Sequence, residues 1–156
     1  AVMRAMARRL GGDEDEWGLA GLLHDIDVEL CNGDMNEHSR LGADMARDLG
    51  AGEAVSRAIL CHNGTHGVKP ETDMEKALFC TDPLTGLITA VALVRPDKKL
   101  GSVETKSVTR RFKETRFAAG VNRDNIDTCT ALGLTREEFV TLALDAMKGI
   151  SDNLGL

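Results

Sequence analysis

The stretch Leu19-Ala20-Gly21-Leu22-Leu23-His24-Asp25-Ile26-Asp27 carries an apolar run straight into an adjacent imidazole and carboxylate. Burying such a pair without partners is costly, so the interior must offer it hydrogen bonds or a metal ion. The remainder of the chain reads as a helical shell that brings further ligands to this corner.

The periodicity is helical throughout, and no stretch shows the alternation of a strand. Val2, Met3, Met6 and Leu10 share one face of a first helix stopped by Gly11-Gly12. Asp13, with Glu16 three residues on, caps a second helix with Trp17, Ala20 and Leu23 inward. A third helix is expected from about Asn36 to Leu49, with His38, Leu41, Gly42, Met45 and Leu49 on one face. A short helix over Gly52 to Cys61 follows, and His62 falls on its apolar stripe with Val55 and Ile59. Asn63-Gly64-Thr65-His66-Gly67 reads as a flexible loop.

Thr72 and Glu75 form a capping box for a long helix whose inward side is Met74, Leu78, Thr85, Ile88 and Val91, with Asp82 in the same register. Pro83 is expected to kink this helix, or to start a new one with Asp82 as its N-cap. Lys98 to Phe117 is basic, and Lys106, Arg110 and Lys113 align on one helical face. Asn122 caps a helix ending at Gly133, and Thr135 with Glu138 caps a last one. The expected fold is a single all-α domain over residues 1–156.

Composition narrows the function classes. A chain of 156 residues with 42% apolar and 28% charged residues can bury one ordinary core. The net charge of −6 argues against non-specific nucleic-acid binding, so no nucleic-acid partner is expected. The longest apolar run, near Leu84–Val94, is too short to span a membrane, and no signal peptide is visible. Cys31, Cys61, Cys80 and Cys129 form no CxxC pair, which fits a reduced, cytoplasmic chain with buried thiols.

All four histidines lie between positions 24 and 66, and His24, Asp25, His38, His62 and Asp82 are directed at one interior. A mixed imidazole and carboxylate set suits one or two divalent ions: Mn, Fe, Zn, Co, Ni or Mg. A bridging carboxylate would let His38 and His62 serve a second ion. Read together, "GLAGLLHDID", "EHSRLGA", "AILCHN" and "KALFCTDPLTGLI" resemble the HD-domain metal-dependent phosphohydrolases of the HDIG branch.

The resemblance implies a compact helical bundle in which His24, Asp25 and Asp82 bind metal. It also implies that His38 and His62 match the extra histidines of two-metal members. Two departures stand out. The family's first ligand histidine would fall just ahead of Ala1, so either the natural chain is longer, which is the expectation, or this protein has lost a ligand. Asp27 stands where many members carry glycine, either as a partner to a ligand or as a solvated helix-end acid.

The implied chemistry is hydrolysis of a nucleotide or other small phosphate ester by a metal-activated water. Asp25 is placed to orient that water and Glu37 to move a proton. Lys98, Lys99, Lys106 and Arg110 are candidate phosphate contacts. Two other readings stay open: a non-catalytic metal- or nucleotide-binding sensor, and a di-iron oxygenase. Apolar surface left by a missing first turn would favour a homo-oligomer.

Overall fold

A computed structural model describes residues 1–156 as ten α-helices with three short 3-10 turns and no strand. Helix α1 (Val2–Leu10) ends on Gly11 in the left-handed conformation, φ 78°. Helix α2 (Glu14–Leu23) is capped by Asp13, whose carboxylate accepts from the amides of Asp15 and Glu16. Gly21 lets these two helices close together, because a Cβ there would lie 2.7 Å from Met3 Cγ.

After a turn through His24–Asp27 come α3 (Val28–Cys31), α4 (Arg40–Asp48) and α5 (Glu53–His62). The long helix α6 (Asp73–Leu93) is followed by α7 (Thr105–Phe112), α8 (Arg123–Asp127), α9 (Arg136–Lys148) and α10 (Ser151–Leu154).

Both capping boxes form, at Thr72 with Glu75 and at Thr135 with Glu138. Each satisfies amides that a helix start otherwise leaves orphaned. Helix α6 is the axis of the bundle, packing against α1, α2, α5, α7, α8 and α9. Its burial is therefore wider than one stripe: Ala77, Cys80, Leu84 and Leu87 are buried as well as Met74, Leu78, Ile88 and Val91.

By length and composition alone α6 is long and apolar enough to cross a membrane. It outlasts the apolar run at Leu84–Val94 because it begins at Asp73, and here it forms the centre of one core with Met6, Ile59, Phe139 and Leu144. It passes through Pro83 without ending, so Asp82 is a mid-helix residue and not an N-cap.

Two expected helices come out shorter. The segment ahead of α4 is turns from Asp34 to Ser39, because Ser39 takes the left-handed conformation at φ 70° and breaks the helical path between His38 and Arg40. Past α8, residues Thr128–Leu132 tighten into a 3-10 turn that ends on Gly133 at φ 72°. All four cysteines are free and buried.

Candidate metal centre

Four separate elements deliver the ligand candidates. His24 is the C-cap of α2 and Asp25 lies in the turn after it. His38 immediately precedes Ser39 at the start of α4, and His62 is the last residue of α5. Helices α4 and α5 pack as consecutive neighbours, which returns His62 to the end where α4 began. Asp82 projects from the middle of α6.

The side chains meet closely. Asp25 Oδ2 lies 3.3 Å from His24 Nε2, and Oδ1 lies 3.5 Å from His38 Nε2 and 3.4 Å from His62 Nε2. Asp82 Oδ1 is 3.6 Å from His24 Nε2. Two clusters result, His24–Asp25–Asp82 and Asp25–His38–His62, sharing Asp25. Donors about 2.0–2.2 Å from a common ion stand roughly 3–3.6 Å from one another. The observed separations therefore match donor atoms arranged around shared ions.

The tautomers point the same way. The Nδ1–H groups of His24 and His62 donate to the carbonyls of Gly21 and Ile59, and that of His38 donates to the Asp27 carboxylate at 2.9 Å. Each ring thus turns Nε2 into the centre. The Nε2 atoms of His38 and His62 are 3.2 Å apart, too close for two opposed lone pairs or two opposed N–H groups. A cation facing both nitrogens resolves the conflict, and with carboxylates completing the set a divalent metal fits.

The local electrostatics favour positive charge. Burial would lower the His24 pKa, but the neighbouring carboxylates of Asp82 and Asp25 prevail and raise it. The His62 imidazole beside it holds the Asp25 pKa below the ordinary range, against the opposing effect of burial.

Asp27 is fully buried and is the hub behind His38. Its Oδ2 accepts the amides of Ser39 at 2.7 Å and Gly42 at 2.8 Å while Oδ1 takes the His38 ring. Burial alone would raise its pKa, yet these N–H donors outweigh that and lower it. A Cβ on Gly42 would sit 3.1 Å from Asp27 Cγ, so glycine leaves the room that this carboxylate fills. Of the two sequence readings of Asp27, partner to a ligand or solvated acid, the geometry is that of the first.

A third grouping, Asp27–Cys31–His38, is not a comparable metal site. Its donor atoms are already committed to one another: Asp27 takes the Ser39 and Gly42 amides and the Nδ1–H of His38. Cys61 lies outside the cluster, with burial first and the Glu75 charge next pushing its thiol up to about 11.

The sequence reading left Asn63 and His66 in a flexible loop without a role. The Asn63 amide donates to the carbonyls of Met35 and His38, and His66 Nε2–H donates to the same His38 carbonyl at 2.7 Å. The available signal was an asparagine directly after a candidate ligand; its burial is visible only in the fold. Glu37 is exposed despite its place beside His38 in sequence.

Two cavities flank the centre. One of about 160 Å³ is largely apolar and touches His24 and Asp82, with the unpartnered hydroxyl of Thr81 buried beside it. The other, about 550 Å³, is polar and is reached from His38, His62 and Asp82. Neither Glu37 nor any of Lys98, Lys99, Lys106 and Arg110 lines either cavity.

The HD-domain family model matches residues 1–90, the span that holds all five ligand candidates. The chain belongs to the HD-domain family. Among curated relatives, Ribonuclease Y of a Sulfurovum species is 31% identical over 152 residues, covering 97% of this chain and 27% of the relative. Ribonuclease Y of Campylobacter hominis is 36% identical over 155 residues, covering 93% of this chain and 28% of the relative. Ribonuclease Y of Chloroflexus aurantiacus is 27% identical over 142 residues, covering 84% and 28%. The chain thus spans about a quarter of the length of these relatives. No solved structure matches.

HD-domain membership and the shared-carboxylate clusters together support a metal-dependent phosphohydrolase centre. The relatives overturn one expectation, that of no nucleic-acid partner, because each is named as a ribonuclease. Net charge failed there for a physical reason. It sums the whole surface, whereas divalent ions held at one point supply local positive charge whatever that sum is. The charge is also uneven: nine of the nineteen Lys and Arg lie between Arg95 and Arg123, against three acids.

Proposed function

We propose that this HD domain hydrolyses phosphodiester bonds of RNA using two divalent ions that share Asp25. The observation that carries the reading is the division of the Asp25 carboxylate, one oxygen toward His24 and the other toward His38 and His62. The RNA assignment draws its support from the relatives' printed name. Bound divalent ions would lower the pKa of coordinated water and offset charge on the phosphate oxygens.

In this reading His24, Asp25 and Asp82 would hold one ion and Asp25, His38 and His62 the other. Asp27 keeps the His38 ring in the tautomer that presents Nε2, and the Gly21 and Ile59 carbonyls do the same for His24 and His62. Lys98, Lys99, Lys106 and Arg110 contact the backbone of a long substrate away from the reacting phosphate. Glu37, exposed and outside both cavities, is assigned no proton transfer.

The test pairs metal content with turnover. Mn²⁺-loaded protein is expected to cleave a short RNA and bis(p-nitrophenyl) phosphate, and Asp25→Ala is expected to lose at least a hundredfold in rate and both ions by elemental analysis. Two bound ions without hydrolysis of either substrate would overturn the enzymatic reading in favour of a binding module.

A further inference from the structure

The polar cavity has walls that the metal centre does not use. Phe79 is half-buried there, and Thr65, Asn122 and Asn125 face it. The side-chain amide of Asn125 and the hydroxyl of Thr65 make no hydrogen bond within the chain, whereas Asn122 Oδ1 caps α8 and Asn63 is fully engaged. No lysine or arginine lines the cavity.

Its position is tied to the ligands by helical geometry. Phe79 precedes Asp82 by three residues on α6, so the two side chains are neighbours on one face. Thr65 follows His62 by three residues through a 3-10 turn. Anything filling this space therefore lies against the metal ligands. At about 550 Å³ it falls within the range of small-molecule pockets, while the apolar cavity of about 160 Å³ falls below it.

We propose that this cavity is a nucleoside subsite, in which Phe79 stacks on a base and Asn125 and Thr65 hydrogen-bond its edge or the adjoining sugar. The proposal rests on the phosphodiester reading above and deepens it. An aromatic face accepts any base, so the subsite selects a nucleoside without strict sequence preference. Walls without cations carry a second consequence. Charges beyond the reacting phosphoryl group find no partner, so a singly charged diester is favoured over nucleoside triphosphates and terminal phosphates.

The experiment compares Mn²⁺-loaded wild type with Phe79→Leu, Phe79→Trp and Asn125→Ala on a dinucleoside monophosphate, bis(p-nitrophenyl) phosphate and ATP. Wild type is expected to hydrolyse both diesters and to act on ATP at least tenfold less efficiently. Phe79→Leu, which keeps an apolar side chain but removes the ring, should raise KM for the dinucleotide about tenfold with kcat nearly constant. Phe79→Trp should restore it, and its added indole emission should be quenched by adenosine alone.

Equal KM values for the leucine, tryptophan and wild-type chains, with both diesters hydrolysed, would overturn the subsite while leaving the phosphodiester reading standing. Efficient ATP hydrolysis would overturn the charge selection. Failure of wild type on both diesters would instead remove the reading beneath it.

Discussion

At residue scale the position with most leverage is Asp27, which touches no ligand atom facing the centre. Its carboxylate holds the His38 ring, the strained Ser39 amide at φ 70° and the Gly42 amide. A non-glycine residue in the left-handed region costs about 1–3 kcal/mol and persists only where neighbours over-determine it. Asp27→Asn keeps the size but replaces one acceptor oxygen with a donor. It is expected to weaken Mn²⁺ binding at the His38–His62 cluster by about 10–100-fold in calorimetric titration, with the His24–Asp82 cluster less affected. Gly42→Ala should act in the same direction by crowding the carboxylate. Undiminished affinity in Asp27→Asn would show that His38 needs no such anchor.

At the scale of elements, the start of α6 joins local and long-range interactions at one side chain. Glu75 closes the capping box, accepts the Glu71 amide at 2.7 Å and pairs with Arg57 at 3.1 Å while remaining 1% exposed. Burial would raise its pKa, but the Glu71 and Thr72 amides and the Arg57 charge lower it overall. A depressed folded-state pKa means the stabilisation is present above the unfolded value and is lost as pH falls through the folded one. The urea midpoint should therefore fall on acidification below about pH 4.5, the ordinary glutamate range. Glu75→Gln, already neutral, should be less stable at neutral pH and show a flatter acid limb. An unchanged limb in that variant would assign the acid sensitivity elsewhere.

At the scale of the molecule, charge is separated from chemistry. The excess of cations between Arg95 and Arg123 lies outside both cavities, apart from the acidic and imidazole groups of the centre. Lys106 is exposed and paired only with Glu104, and Arg110 is exposed without an ion pair. For a polymer substrate these residues are expected to add salt-dependent affinity. Lys106→Glu with Arg110→Glu should weaken binding of a long RNA several-fold and reduce the slope of log affinity against log salt by about 1–2, leaving dinucleotide KM nearly unchanged. An unaltered slope would remove this face from the RNA path.

Both capping boxes and most helices were legible in the chain, because they depend on spacings of three and four residues that one helix enforces on itself; the five ligand candidates, spread over four elements, were legible as the ordered motifs of a family. The helix across Asn36 to Ser39 was not, since the left-handed Ser39 is held by a carboxylate twelve residues away. Burial of Asp27, the two-sided use of Asp25 and the removal of the lysines from the cavities belong to packing. They arise from how α2, α4 and α5 seat against α6, and such seating depends on contacts between residues far apart in sequence, which no local period records.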